Sequence, residues 1–227
     1  MIPGEDACCI LLYGDIGEYS DVTAAAIVRE LMEAEASGKR IDVRINSNGG
    51  DVYTGIAIFN ALRGSKADIH IYVDGIAASM ASVIALCGKP VEMSKYARLM
   101  LHSVSGGCYG NKTELRRCLE EVEALENTLC EMYAPKLGTS VEDIRARYFD
   151  DADHWLKADE ALALGFIDGV YDADPVPEDS TPEQVYRIFN NRLEQPLNDT
   201  QMNLEEVKKR PRFKDCATDS DVFRVMD

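Results

Sequence analysis

Ile69-His70-Ile71-Tyr72-Val73-Asp74-Gly75-Ile76-Ala77-Ala78-Ser79-Met80 is the stretch of this 227-residue chain from which the fold can be worked out. Residues 69–73 form a short apolar run, which predicts a strand. Asp74-Gly75 is a turn signal, and residues 76–86 are small and apolar almost throughout, which predicts a helix buried on all sides. A strand, a glycine turn and a helix in this order are typical of an α/β protein.

The same order of elements recurs on the N-terminal side of this stretch. Residues 41–45 form another apolar run, and the turn Ser47-Asn48-Gly49-Gly50-Asp51 follows it. After the turn, apolar residues recur at helical spacing: Ile56, Ile58, Phe59 and Leu62. Runs at residues 9–13 and 99–101 predict two more strands. We therefore expect an α/β fold.

Two further helices are predicted from periodicity. Residues 21–37 sort into an apolar and a polar face, with Asp21 expected to cap the helix start and Gly38 to end it. In residues 112–133 the apolar side chains alternate three and four apart, as in a coiled-coil seam: Leu115, Cys118, Val122, Leu125, Leu129 and Met132. Such a narrow stripe packs either on the same domain or on another copy of the chain.

Composition divides the chain near residue 172. Acidic residues and prolines crowd into residues 172–182, a stretch that cannot build a core. We expect one domain over residues 1–172 and an acidic extension over residues 173–227. The sequence of the extension predicts a short helix at 182–193 and a charged segment at 204–212, and the extension is either a docking arm or a mobile tail.

Charge and cysteine usage exclude several classes of function. The formal net charge of −16 repels phosphate backbones and anionic lipid, so no nucleic acid and no membrane is expected as a partner. No apolar run approaches the length of a membrane span, and the N-terminus is acidic, so we expect a cytoplasmic protein. Seven cysteines without CxxC spacing and three scattered histidines predict reduced thiols, no metal site and no cofactor.

A serine can attack a carbonyl carbon if a base takes its proton, a third group orients that base, and backbone donors hold the oxyanion. Ser79 lies among small residues at a predicted helix start, where its other interpretation is a helix cap or a packing residue. His102 stands at a predicted strand end before a loop, where a structural histidine is the alternative. Gly49 and Gly50 either make a turn or leave a backbone amide free for an oxyanion or a substrate chain.

Several motifs, taken in order, resemble those of the proteolytic subunit of Clp protease. The resemblance covers about residues 9–170. The motifs are Asn46-Ser47-Asn48-Gly49-Gly50, Gly75-Ile76-Ala77-Ala78-Ser79-Met80, Leu99-Met100-Leu101-His102, Trp155-Leu156-Lys157-Ala158-Asp159-Glu160-Ala161 and Gly165-Phe166-Ile167-Asp168. Their order and separations are more specific than any one of them. Asn48 stands where the family usually has proline, and Ala81 stands where it has glycine.

The resemblance implies a site and a fold. It implies that the nucleophile is Ser79, the base is His102 and the orienting acid is Asp153, with Asp151 as an alternative acid. The amides of Gly50 and Met80 would form the oxyanion hole, and substrate would lie along Gly49-Gly50 as an added strand. The implied fold is crotonase-like, built of stacked β-β-α units. The implied assembly is a seven-membered ring that stacks in pairs through a handle helix, residues 112–133.

Other features resemble one branch of the family, the peptidases of tailed phages and prophages. These features are Asp51 after the glycines, the Tyr109-Gly110-Asn111 turn, the Trp155-Leu156 pattern and the extended C-terminus. In that branch the implied function is processing of scaffold and capsid proteins during head maturation. About eight residues precede the first predicted strand, where housekeeping members carry a longer segment that engages an ATP-driven unfoldase. Coupling to an unfoldase is therefore left open.

Three alternatives remain at this point. A housekeeping-like Clp subunit would share the chemistry but work with an unfoldase. An acyl-CoA enzyme of the crotonase type would use glycine-rich turns to hold a thioester oxyanion and would not need both Ser79 and His102. A non-catalytic assembly protein would keep the ring and lose turnover. We predict a serine endopeptidase acting on polypeptides through an acyl-enzyme.

Overall fold

The computed structural model describes residues 1–3, 7–171 and 181. The expected helix at 182–193 and the charged segment at 204–212 lie outside the described residues. The described part is a mixed α/β domain, which confirms the predicted class. Its strands and helices, in chain order, are β1 Ile2–Pro3, β2 Ala7–Tyr13, α1 Ala24–Ser37, β3 Arg40–Ser47, α2 Val52–Gly64, β4 Ile69–Ala78, α3 Met80–Ala85, β5 Val91–Ser94, β6 Arg98–Leu101, α4 Lys112–Leu137, α5 Val141–Tyr148, β7 His154–Lys157, α6 Ala158–Ala163 and β8 Gly169–Tyr171.

The strands form one sheet that branches at β4. Its main path runs β1-β2-β3-β4-β5-β8, and β6 pairs with β4 and with β7 off this path. The first half of β4 pairs with β5, and its second half pairs with β6 in parallel register, Ala78 opposite Met100. Only β1 with β2 and β6 with β7 run antiparallel among the described strands. The long strand β4 therefore pairs along its length first with β5 and then with β6, and it ends at Ala78, directly before Ser79.

The second half of β4 corrects the prediction of a helix over residues 76–86. Residues 76–78 continue the strand, and α3 begins only at Met80. The small apolar composition suits a helix locally, but pairing with β6 satisfies the backbone of these three residues in a ladder. In place of the turn expected at Asp74-Gly75, the strand continues with an irregularity, because its register with β3 shifts between Val73 and Ala77.

Both ends of α1 can be compared with the prediction. Gly38 ends the helix in the left-handed conformation, φ 68°, as expected. The expected cap at Asp21 was wrong: the cap is Thr23, whose Oγ1 accepts a hydrogen bond from the Ala26 amide at 3.1 Å. The Asp21 carboxylate instead accepts a hydrogen bond from the amide of Asp15 in the preceding loop.

Helix α4 extends beyond the predicted residues 112–133, to Leu137. A capping box of Asn111 and Glu114 begins the helix. Its C-terminal half packs on the core through Leu129, Cys130, Tyr133 and Ala134. In the N-terminal half the large apolar side chains Leu115 and Leu119 are 49% and 58% exposed. The predicted apolar stripe therefore divides into a part inside the domain and a part outside it.

A polar cluster joins four strands at one point of the sheet. The Asp74 carboxylate accepts hydrogen bonds from Arg44 Nε at 2.9 Å, from Tyr13 Oη at 2.5 Å and from Tyr171 Oη at 2.5 Å. These side chains come from β4, β3, β2 and β8. The cluster therefore fixes the strand that leads to Ser79 against its neighbours and against the last described strand.

None of the helices in the described part of the chain has the length and apolar character that a membrane span requires.

Candidate active site

Ser79 occupies the sharp turn between β4 and α3. Its backbone has φ 52° and ψ −125°, a conformation that costs a non-glycine residue of the order of 1–3 kcal/mol. The turn is held by hydrogen bonds from the Ser79 amide to the Met100 carbonyl, 2.9 Å, and from the Ser82 hydroxyl to the Ser79 carbonyl, 2.6 Å. The Ser79 hydroxyl makes no capping bond to α3. The helix-cap interpretation of Ser79 is therefore wrong.

His102 follows β6 directly and faces this turn. Because β6 lies beside the second half of β4, the residues after both strands meet at the same edge of the sheet. His102 Nε2 lies 2.8 Å from Ser79 Oγ. This distance is within hydrogen-bond reach, as proton transfer from a nucleophile to a base requires.

Asp153 stands on the other side of the imidazole. It precedes β7, and the antiparallel register of β7 with β6 sets His154 opposite Leu101. The Oδ1 of Asp153 lies 3.5 Å from His102 Nδ1. That separation is longer than a hydrogen bond, and the carboxylate side chain is 57% exposed. Catalytic hydrogen bonds in unliganded sites are often longer than in the complex, so the placement fits an orienting acid.

Asp151 has a different place in the same loop. Its backbone amide donates to Ser103 Oγ at 2.9 Å, and its φ of 66° lies in the left-handed region. Ser103 follows His102 and is buried, so this bond joins the loop before β7 to the loop after β6. The residue that the structure sets beside Nδ1 is Asp153, and Asp151 contributes through its backbone.

His154 steadies this acidic loop from its far side. Its Nε2 lies 2.7 Å from Asp150 Oδ1, and the hydrogen bond lowers the pKa of Asp150. The His154 ring also makes an edge contact with Tyr148, with ring centroids 5.5 Å apart. His154 therefore anchors the loop that carries Asp153.

Gly49 and Gly50 pass directly beside the serine. Both have positive φ, 96° and 146°. A Cβ on Gly49 would lie 2.7 Å from the Ala78 carbonyl oxygen and 2.8 Å from Ser79 Cβ. A Cβ on Gly50 would lie 2.0 Å from the Ile16 carbonyl oxygen. Only glycine permits this approach, so the pair brings main chain to the serine as well as making a turn.

This geometry allows comparison with known proteins. Residues 7–174 match the family model described as Clp protease. The chain belongs to the Clp protease family. The ATP-dependent Clp protease proteolytic subunit of Bacteroides fragilis is 32% identical over 157 residues, which are 67% of this chain and 75% of the relative. The ATP-dependent Clp protease proteolytic subunit 1 of Prochlorococcus marinus is 35% identical over 158 residues, 68% of this chain and 80% of the relative.

In this member of the Clp protease family, a cavity of about 50 Å³ lies at the serine. Its polar lining includes Gly50, Ser79 and His102. The apolar part of the lining comes from Val52, Met80, Val83, Val104, Leu129, Tyr133 and Phe149. A larger cavity of about 560 Å³ lies between α2, residues 86–90 and the C-terminal end of α4, and it touches none of the candidate catalytic residues. The small cavity is the candidate active site, because Ser79 and His102 lie in its wall.

A buried hydrogen-bond chain supports the serine turn from the core side. Tyr133 Oη lies 2.7 Å from Ser82 Oγ, which in turn donates to the Ser79 carbonyl. Burial raises the pKa of Tyr133, so its phenol stays protonated. Neither Ser82 nor Tyr133 is predicted from the sequence as part of the site. Their only sequence signals are a serine three residues after Ser79 and a tyrosine at the end of the predicted stripe, and neither is specific.

Proposed function

We propose that this protein is a serine endopeptidase that hydrolyses polypeptides through an acyl-enzyme. In this proposal Ser79 is the nucleophile, His102 is the general base and Asp153 orients the base. The observation that carries the proposal is the 2.8 Å approach of Ser79 Oγ to His102 Nε2 in a chain of the Clp protease family. The position of Asp153 on the Nδ1 side of the same ring supports it.

The proposed reaction has two halves. His102 Nε2 takes the proton as Ser79 Oγ attacks the carbonyl carbon of the peptide bond, and the amides of Gly50 and Met80 stabilise the oxyanion. The imidazolium then gives its proton to the amine leaving group as the C–N bond breaks. Water attacks the resulting ester with His102 as base, and Ser79 leaves with the proton restored. One oxyanion donor contributes about 10²- to 10³-fold in rate in such sites.

The proposed substrate path follows the Gly49-Gly50 segment. An extended peptide would lie there as an added strand, paired through its main chain. The absence of a side chain at Gly49 supports this path, because a Cβ there would lie 2.8 Å from Ser79 Cβ. No cofactor or metal is part of the proposed mechanism.

The proposed architecture of the whole protein follows from the family. We place the peptidase domain at residues 1–172 and an extension at 173–227, supported by the family match to residues 7–174. We propose a crotonase-like arrangement of β-β-α units and seven-membered rings that stack through α4. The exposure of Leu115 and Leu119 on the N-terminal half of α4 supports this contact.

The proposed biological role is processing of capsid and scaffold proteins in phage head maturation, supported by Asp51, the Tyr109-Gly110-Asn111 turn and the chain after residue 172. The second candidate is a subunit that works with an ATP-dependent unfoldase, supported by the two relatives, which are proteolytic subunits of ATP-dependent Clp proteases. Co-expression with capsid proteins separates them: trimmed capsid protein without an unfoldase supports the first role. Hydrolysis of a folded substrate only with an added unfoldase and ATP supports the second.

The proposed location is the cytoplasm. The six described cysteines are free thiols, which supports a cytoplasmic location.

The proposed activity is tested by hydrolysis of an unfolded protein such as casein. Wild type should release peptides, and Ser79→Ala should lower the rate by about 10⁴-fold or more. Ser65→Ala, at the end of α2, is the matched control and should retain the wild-type rate. Equal rates for wild type and Ser79→Ala would reject the proposal and favour an acyl-CoA enzyme or an assembly protein. Thioester hydrolysis without peptide hydrolysis would favour the former.

A further inference from the structure

The loop after His102 runs antiparallel along α4. The Val104 amide donates to Glu126 Oε1 at 3.1 Å, and a Cβ on Gly106 would meet Val122 Cγ2 at 3.7 Å. At the far end, the Asn111 amide donates to Glu114 Oε2 at 2.7 Å. From Val104 to Gly106 two loop residues pass about one turn of α4, and from Gly106 to Asn111 five loop residues pass about two turns. Residues 103–111, which we call the His loop, are fastened to α4 by these weak contacts.

The step between Gly106 and Asn111 brings two cysteines together. With Gly106 beside Val122 and Asn111 beside Glu114, the register of the loop sets Cys108 next to Cys118 of α4, and interaction with the Cys118 thiol raises the pKa of Cys108. Cys108 is exposed and Cys118 is partly exposed. The other described cysteines are buried: Cys8, Cys9, Cys87 and Cys130. Burial raises the pKa of Cys87 and of Cys130 to about 11, which leaves those thiols unreactive.

We propose that Cys108 and Cys118 are a redox modification site that forms a reversible disulfide between the His loop and α4. The oxidant is a low-molecular-weight disulfide such as oxidised glutathione. One cysteine thiolate attacks the glutathione disulfide, forming a mixed disulfide and releasing one glutathione thiolate. The second cysteine thiolate attacks the protein sulfur of that mixed disulfide, forming the Cys108–Cys118 bond and releasing the second glutathione. Two protein thiols are oxidised and one glutathione disulfide is reduced to two thiols.

The bond would reach the candidate active site through the His loop. His102, Ser103, Val104 and Ser105 all line the small cavity at Ser79. The disulfide would hold the C-terminal part of the loop in the position in which the hydrogen bond between His102 and Ser79 is present. Such a bond closes a short loop and restricts the unfolded chain, which raises stability. Disulfides that form transiently in a reducing compartment are typically redox-sensing.

The reaction should be slow at neutral pH. Hydrogen bonding to Cys118, with the Glu114 carboxylate nearby, raises the pKa of Cys108. Since the thiolate is the reacting species, exchange should become faster between pH 7 and pH 9. The test is therefore made at pH 8.5.

The full-length protein is incubated with oxidised glutathione, treated with an alkylating agent and digested with trypsin without reduction. The expected product is residues 99–112 linked to residues 118–136 within one chain. Cys130 lies in the second peptide, so fragmentation must place the link on Cys118, and Cys118→Ser must abolish it. A cross-linked dimer on a non-reducing gel would overturn the proposal. A stable glutathione adduct on Cys108 in place of the link would also overturn it.

The unfolding temperature gives an independent reading. Oxidised wild type should unfold about 5 °C above the reduced protein, and dithiothreitol should reverse the shift. Cys108→Ser should show no shift with glutathione, whereas the matched variant Cys87→Ser, buried elsewhere, should keep it. Equal unfolding temperatures for the linked and reduced proteins would show that the bond does not fasten the loop. Neither measurement depends on peptidase activity, so this inference fails or succeeds separately from the proposed function.

Discussion

Ser79 Oγ and His102 Nε2 lie 2.8 Å apart although 23 positions separate the two residues in the chain. The contact follows from the parallel register of β4 and β6, in which Ala78 lies opposite Met100. Ser79 comes directly after β4 and His102 directly after β6, so the two residues meet at the same edge of the sheet. The strained backbone of Ser79 turns its hydroxyl toward the ring instead of capping α3.

The identity of the acid gives the first prediction. Asp153→Asn should lower kcat by about 10²- to 10⁴-fold, because the imidazole loses the carboxylate that orients its Nδ1 side. Asp151→Asn is the matched control and should remain within a few-fold of wild type, since asparagine tolerates the left-handed conformation and keeps the amide that donates to Ser103. Steady-state peptide hydrolysis gives both values. A larger loss in Asp151→Asn than in Asp153→Asn would reverse the assignment.

The glycine beside the nucleophile gives the second prediction. Gly49→Ala should abolish most of the activity, because the new Cβ would lie 2.8 Å from Ser79 Cβ and 2.9 Å from the Met80 amide nitrogen. Gly38→Ala also places alanine at positive φ, but no atom lies within 4 Å of its Cβ. It should cost about 1 kcal/mol of stability and leave kcat unchanged. If both variants lose activity equally, the effect is global destabilisation and the close approach carries no catalytic meaning.

The chain from Tyr133 to the serine turn gives the third prediction. Tyr133→Phe removes a buried hydroxyl bonded to Ser82 and should cost about 1–2 kcal/mol in the free energy of unfolding. Tyr109→Phe, on a fully exposed ring, should change it by less than about 0.5 kcal/mol. Urea denaturation measures both. An equal effect of the two variants would show that the hydrogen bond behind Ser79 contributes nothing.

Buried tyrosines give the fourth prediction, on alkaline stability. Burial raises the pKa values of Tyr72, Tyr133 and Tyr171 above the ordinary value of 10.0. Above pH 10 the unfolded chain loses these protons and the folded chain keeps them, so the folded state binds more protons. Stability is therefore fully present below pH 10 and falls above it, by about 1.4 kcal/mol per pH unit for each tyrosine.

Thermal unfolding followed from pH 9 to pH 11 checks this dependence. Tyrosinate absorbance should rise together with loss of structure for the buried tyrosines. Flat stability across this range would show that the buried phenols ionise without unfolding.

Part of this architecture could be predicted from local sequence. Gly49 and Gly50 are found because positive φ and close packing leave a composition signal, and Gly38 ends α1 for the same reason. Ser79 and His102 are found from motifs, and the structure brings them together; their chemical roles remain predictions. The same motifs predict the Clp protease family, and the family match over residues 7–174 confirms that prediction.

The rest depended on tertiary pairing. Residues 76–78 have a helical composition but join the sheet, because β6 offers them a complete ladder. Asp21 looks like a cap, yet Thr23 has the extended backbone that capping requires. The choice between Asp151 and Asp153 depends on how β7 pairs with β6, a register that no local pattern contains.

The most direct test of the central claim is labelling of the assembled protein with a fluorophosphonate, followed by peptide mapping. We predict one modified residue, Ser79, with labelling lost in Ser79→Ala and strongly reduced in His102→Ala. His70→Ala, whose ring contacts Asp68 away from the cavity, should label as wild type does. An unmodified Ser79 in active wild-type protein, or equal labelling of His102→Ala and wild type, would contradict the account.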